Sequence, residues 1–301
     1  MNLIKPKNLK SGDTIAIIAP SGNVNPEKIL TAKKYFKSKE LNVLIGKNLF
    51  NKNKYLSGSD DERLEDLHNA FLNPDVDAII CARGGYGAIR LIDKIDFELI
   101  RNNPKIFCGY SDITALSLMF LKEAGLITYS APMAQSDFSD LAPNKFTETS
   151  FFNVLSGGKE VYNADKIIIP GCAEGIIWGG NLSTIVSLCG IDCHKNNSDN
   201  YSFIPDEKFI FIVEDVSEPV YKIDKMLRQL LNIKQFRKNI AGIAFGEFSN
   251  TDNIIWLNDL KEEIANELQI PVSDGFKFTH GKEKQTIPIG IRGKLDRNLT
   301  F

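Results

Sequence analysis

"KIFCGYSDITALSLMF", residues 105–120, joins two periodicities across a single serine. Lys105 to Tyr110 is an apolar run of strand length, and a helical pattern starts at once after it. A buried strand that turns directly into a helix is half of a βα crossover unit, the building block of a parallel sheet. Ser111 stands on the corner. Two readings are open there. Ser111 or Asp112 caps the helix that follows. Alternatively, the corner exposes the serine hydroxyl at the sheet edge and aims the next backbone amides at the same point, as in a nucleophile elbow. The string is Gly-Tyr-Ser-Asp rather than G-x-S-x-G, and by itself it favours the cap.

The same alternation extends outward in both directions. Apolar strands "TIAIIAP" (14–20), "NVLIG" (42–46), "VDAIICAR" (76–83) and "ITYSAP" (127–132) flank helical stretches at 25–40, 59–73 and 112–125. The first helix has Asn25 as cap and a proline in its first turn; the second carries acidic residues in its first turn, which suits the macrodipole. Near-continuous apolar strands between helices predict a parallel sheet covered on both faces, with its sites at the carboxyl ends of the strands. Around 155–175 the chain becomes glycine-rich with short β-like runs. The expected division is therefore an N-terminal flavodoxin- or Rossmann-like parallel α/β domain over 1–160 and a smaller, mixed α/β domain over 161–301. In the second, strands at 208–215 and 240–248 bracket a helix at 219–232, and a helix at 256–268 follows.

Composition removes several function classes. The 301 residues are 43% hydrophobic and 25% charged, an ordinary globular balance. A formal net charge of −2 without long like-charge runs argues against a nucleic-acid surface. No run of about 18 apolar residues is present to span a membrane. The N-terminal segment does not read as a secretory signal, so a cytoplasmic protein is expected. Cys81, Cys108, Cys172, Cys189 and Cys193 are odd in number in a chain that is not small, and they read as buried neutral thiols rather than disulfides. "CGIDCH" (189–194) lacks zinc-knuckle spacing and a second Cys/His pair, so no metal is expected.

Three further segments carry candidate chemistry. In "CARGGYG" (81–87) two adjacent glycines after a buried strand allow close backbone approach to an anion, or make a plain tight turn. The pattern is not a G-x-G-x-x-G after the first strand, so no dinucleotide fingerprint is present. A serine nucleophile needs a base, and the chain has three histidines, His68, His194 and His280. His68 sits in a helix and His194 in a polar stretch; His280, followed by glycine in "GFKFTHGKEK", is the best placed to reach a substrate. Glu214 and Asp215 end a buried strand just ahead of a helix, where they orient a base, cap the helix, or pair with Lys222 or Lys225.

Taken together and in order, "ARGGYG", "GYSDIT", "WGGNLS", "VEDVSEPVYKIDKML" and the late "TH-G" before "IPIG" resemble the LD-carboxypeptidases, serine peptidases that include the microcin self-immunity peptidases. The likeness runs from about Thr14 to Leu295. It implies a catalytic triad of Ser111 as nucleophile, His280 as base and Glu214 as its carboxylate, with an oxyanion hole from the amides of Gly85 and Asp112. It implies no cofactor, a site in an interdomain cleft, and a homodimer. The implied substrate is a murein tetrapeptide, cut between L-lysine or meso-diaminopimelate and the terminal D-alanine during cell-wall recycling. Arg83 can hold a substrate carboxylate by a forked contact or serve in a structural ion pair. Tyr86, Trp178 and Asn181 are expected on the cleft wall. Two rival functions remain at this level. One is a microcin-immunity-type hydrolase of aminoacyl sulfamoyl nucleotides, whose members are generally longer. The other is a non-catalytic nucleotide or flavin binder using "RGGYG". A thiol amidotransferase using Cys81 or Cys108 is a weaker idea.

Overall fold

The computed structural model describes residues 3–140, 143–191 and 203–301. Cys193 and His194 lie outside the described residues. The chain divides into two compact units, Met1–Gly158 with Gln285–Ile289, and Lys159–Lys284 with Gly290–Phe301. Its strands are β1 (Thr14–Ile18), β2 (Asn42–Ile45), β3 (Ala78–Cys81), β4 (Ile106–Cys108), β5 (Thr128–Ser130), β6 (Val161–Tyr162), β7 (Lys166–Ile169), β8 (Ala173–Asn181), β9 (Phe209–Val216), β10 (Ile240–Ser249), β11 (Val272–Asp274), β12 (Ile287–Ile289), β13 (Arg292–Leu295) and β14 (Leu299–Thr300).

The first unit holds a sheet of order β12-β5-β4-β3-β1-β2. Strands β2 to β5 and β1 run parallel, in the doubly wound order 2-1-3-4-5. All four residues of β3 and all three of β4 are buried, as strands covered on both faces must be. Local chemistry fixes the intervening helices. Asn25 accepts the amides of Glu27 and Lys28 at 2.9 and 3.3 Å to start Pro26–Ser38. Ser59 and Glu62 form a capping box at the start of Asp60–Leu72. In this order the strand direction of crossover reverses between β1 and β3, and the loops after those two strands form the switch point where such sheets bind ligands.

The sixth strand departs from the sequence expectation. Ile287–Ile289 lies within the stretch assigned to the second domain, yet β12 pairs antiparallel with β5 and closes the edge of the first sheet. Ile287 and Ile289 are each 1% exposed, and the Thr286 amide donates to Ser150 Oγ at 2.9 Å. Burial of those two isoleucines, and pairing for an otherwise bare edge, draw the segment there.

The second unit is built on a mixed sheet of order β6-β14-β13-β8-β9-β10-β11-β7. Its centre, β8 to β11, is parallel, and the flanks are antiparallel. Seven of the eight residues of β9 are buried. The strands and helices anticipated at 208–215, 219–232, 240–248 and 256–268 are β9, Val220–Leu231, β10 and Ile254–Leu268. Trp178 corrects an expectation. It is fully buried, in a cluster with Phe203, Phe209, Phe211 and Phe236, and is a core residue rather than a wall open to substrate.

Candidate active site

At the carboxyl ends of β1, β3 and β4 three loops meet. Ser111 follows β4 and adopts a left-handed backbone, with φ at +63°. Such a conformation is costly for a residue with a Cβ, and it lifts the side chain out of the run of the chain. The helical segment begins at Ser111 itself, and neither its first turn nor the α-helix Thr114–Met119 is capped by a side chain. The capping role weighed for Ser111 and Asp112 is therefore absent. Ser111 Oγ makes no hydrogen bond among the described residues. Gly84 lies against it: a Cβ at that position would stand 2.8 Å from Ser111 Cβ and 2.9 Å from Oγ. The same Cβ would come within 3.3 Å of the Asp112 amide. The glycine therefore opens the space in front of the hydroxyl and its neighbouring N–H. Gly85 is held at φ +117°, which only glycine tolerates readily.

Asp112 ties the loops together with its side chain. Its Oδ2 accepts Ser21 Oγ at 2.6 Å from the loop after β1 and the Ala88 amide at 2.9 Å from the loop after β3. Burial pushes this carboxyl upward, while those two donors and the nearby Arg63 oppose the rise. Arg63, also buried, donates to the carbonyls of Pro20 and Gly87 and pairs with Asp60. Ser21 and Arg63 were not singled out by the sequence. A lone serine in the turn after β1 carries no motif of its own, and a helical arginine carries no local sign of burial. Arg83 donates to the Gly84 carbonyl at 3.2 Å and the Asn23 carbonyl at 3.3 Å, and forms no ion pair among the described residues. Tyr86 is exposed and meets the Tyr55 ring edge-on at 5.7 Å.

The second unit holds its own pairing of a carboxylate and an imidazole. Glu214, near the end of β9, is 5% exposed. Its Oε2 stands 2.7 Å from Nδ1 of His280. An ionised carboxylate only accepts, so Nδ1 carries the proton and Nε2 is left as the acceptor. Burial depresses the imidazolium, but the hydrogen bond and charge of Glu214, helped by Asp215 and opposed by Lys284, outweigh it and hold His280 above its ordinary value. Asn181 is buried and is not a wall. Its Nδ2 donates to Glu214 Oε1 at 3.3 Å and Asp215 Oδ1 at 3.0 Å, while its Oδ1 accepts the Thr184 amide to cap Leu182–Ser187. Asp215 accepts the Ser183 amide at 2.8 Å. Lys222, an alternative partner for Glu214, pairs with Glu218 instead.

The remaining candidates fall away on geometry. His68 Nε2 already accepts the Asp96 amide at 3.2 Å, and burial lowers its basicity. Cys81 and Cys108 are fully buried, and burial pushes both thiols far up, so neither is a nucleophile. Cys172 departs from the expectation of burial and is exposed. Among the described residues no cluster of His, Cys, Asp or Glu has the form of a metal site.

Comparison with known proteins bears on both units. Residues 15–131 match the LD-carboxypeptidase N-terminal domain, and residues 174–295 match the LD-carboxypeptidase C-terminal domain. A probable murein peptide carboxypeptidase of Bacillus subtilis is 35% identical, over 97% of this chain and 91% of the relative. The chain belongs to the LD-carboxypeptidase family. Among solved structures, the muramoyltetrapeptide carboxypeptidase of Oxalobacter formigenes is 30% identical, with a TM-score of 0.85 over 95% of this chain and 97% of that one. An MccF-like protein of Bacillus anthracis is 27% identical, with a TM-score of 0.87 over 99% of both chains. Membership makes the protein a peptidase by family. Among the described residues no helix is long and apolar enough to cross a membrane.

Proposed function

We propose that this protein is a cytoplasmic serine LD-carboxypeptidase that releases the terminal D-alanine of murein tetrapeptides, cutting after L-lysine or meso-diaminopimelate. The observation that carries the reading is the buried couple of Glu214 and His280, at 2.7 Å, in a chain whose relatives are named as murein peptide carboxypeptidases. In the reaction, His280 Nε2 takes the proton of Ser111 Oγ as the oxygen attacks the amide carbonyl. Glu214 fixes the tautomer and stabilises the imidazolium. The amides of Gly85 and Asp112 receive the oxyanion, and loss of one such donor typically costs about 10²–10³ in rate. His280 then protonates the leaving amine of D-alanine, and water hydrolyses the acyl-serine to release the tripeptide acid and restore the hydroxyl. Arg83 holds the substrate carboxylate by its guanidinium, and Tyr86 lines the approach. Recycling of cell-wall peptides as a homodimer completes the proposal.

A second reading, hydrolysis of an aminoacyl sulfamoyl nucleotide, draws support from the likeness to the MccF-like protein. One experiment separates them. The protein is incubated in parallel with lysine- and diaminopimelate-type murein tetrapeptides and with glutamyl sulfamoyl adenosine, and products are read by mass spectrometry. Tripeptide plus free D-alanine, abolished by Ser111→Ala, is the expected result. Cleavage of the nucleotide conjugate alone transfers the protein to the second reading. Turnover that survives in Ser111→Ala rejects the nucleophile.

A further inference from the structure

Glu214 holds one nitrogen of His280, but one hydrogen bond to a ring does not fix the loop that carries it. That loop, Phe278 to Gly281, is fastened elsewhere. The Phe278 carbonyl accepts the backbone amide of Glu247 at 2.9 Å. Thr279 Oγ1 donates to the Glu247 carboxylate, and the Gly281 amide donates to the same Thr279 oxygen at 2.7 Å. The residues on both sides of His280 are thus tied, directly or through one hydroxyl, to a single position of β10.

The strand is shaped for this. Phe245 pairs with Val213 and Phe248 with Asp215, with a register shift between them. Gly246 and Glu247 therefore oppose the single residue Glu214. Such a bulge bends a strand and re-aims a side chain, and bulges concentrate beside functional sites. Gly246 lets the loop settle on the strand: a Cβ there would collide with the Phe278 carbonyl and stand 3.1 Å from Glu214 Cβ. Gly281 is similarly close, its notional Cβ lying 3.0 Å from Thr279 Oγ1 and 3.1 Å from Glu247 Oε2. The bulge brings the acid that orients the imidazole and the acid that anchors its loop to adjacent points of neighbouring strands. Thr279 is buried and Glu247 is exposed, so the hydroxyl is sheltered while the carboxylate needs no buried charge partner.

We propose that Glu247, acting through the Thr279 hydroxyl, is a positioning residue that sets the His280 ring against Glu214 for the reaction. It touches neither substrate nor reacting atoms. The inference rests on the reading of His280 as catalytic base, and its role is to keep the Nε2 acceptor aimed.

Thr279→Val keeps shape and removes both hydrogen bonds; Thr279→Ser keeps the hydroxyl. For D-alanine release, Thr279→Val is expected to lower kcat by about 10²-fold, the typical effect of an ångström-scale misplacement, with little change in KM. Thr279→Ser is expected to restore kcat to within about threefold of the parent. A second readout does not depend on the substrate. The imidazole of His280, assigned by the His280→Gln spectrum, is titrated by proton NMR in the parent and the variants. Glu214, Asp215, Glu247, Lys277, Lys282, Glu283 and Lys284 are the charged groups near this loop in strand or sequence. Loosening the ring from Glu214 lowers its midpoint in Thr279→Val but not in Thr279→Ser. A purely structural role would lower the melting temperature and leave the midpoint of the folded fraction in place, and that pattern overturns the proposal. So does parental kcat in Thr279→Val. Should Thr279→Val not fold, Glu247→Ala, altered at an exposed side chain, carries the same two readouts with the same criteria. If murein peptides are not substrates at all, the functional reading fails while the titration still decides the positioning role.

Discussion

His280 is under opposing pressures. Burial favours its neutral form, and the hydrogen bond and charge of Glu214 favour its protonated form and prevail. In the proposed reaction His280 is the base, and a base must be neutral to take a proton. Activity is therefore lost as pH falls through the elevated midpoint, and the acid limb of kcat/KM for D-alanine release belongs above the ordinary histidine value of about 6.5. Glu214→Gln removes the dominant raising influence and leaves burial and Lys284 to act against Asp215. The limb then moves to lower pH while the maximal rate falls, by up to about 10⁴ if the glutamine also stabilises the wrong tautomer. A pH–rate profile of both proteins checks the sign. A limb that stays in place in Glu214→Gln removes the charge of residue 214 from the mechanism.

The strand-to-helix corner after β4 shows how an element stores cost at a site. Ser111 holds φ +63° just ahead of a run, Asp112 to Met119, that is wholly buried. Serine in that region is strained, whereas glycine is not, so Ser111→Gly should stabilise the fold by about 1 kcal/mol even as it removes the proposed nucleophile. Urea denaturation of the parent, Ser111→Ala and Ser111→Gly tests this. Equal midpoints for glycine and alanine would mean that the corner is relaxed. The sequence exposed the corner, because an apolar run followed at once by a helical repeat leaves no other place for Ser111. It did not expose the loops that Asp112 and Arg63 tie to it. Those ties join residues 20, 21, 63, 87, 88 and 112, and local periodicity carries no information about partners so far apart. Asn181 was expected on the cleft wall, and nothing in its local sequence marks it as the donor shared by Glu214 and Asp215. Trp178 shows the opposite error, since a tryptophan beside two glycines has the same local pattern in a core as in a binding wall.

At the scale of the whole molecule, the alternation of strands and helices was enough to give a parallel sheet, because each element's period is local. The path of residues 285–289 was not, because the pattern of "QTIPI" shows a strand without saying which sheet it joins. The chain leaves the first unit at Gly158, returns for Gln285–Ile289 and leaves again at Gly290. The first unit is therefore incomplete until nearly all of the polypeptide has been made. A chain of residues 1–158 lacks Ile287 and Ile289, each worth about 1.5–3 kcal/mol when fully buried, and leaves β5 as an unpaired edge. That loss, about 3–6 kcal/mol, is comparable to the whole stability of many domains, about 5–15 kcal/mol. The 1–158 chain is expected to aggregate or to bind a hydrophobic dye without a cooperative melt. A chain in which a flexible Gly/Ser linker joins Gly158 directly to residues 285–289 restores the strand and should melt cooperatively. If residues 1–158 alone unfold with the same urea midpoint as the linked chain, β12 is an ornament of the sheet, and the returning segment has no part in holding together the unit that carries Ser111.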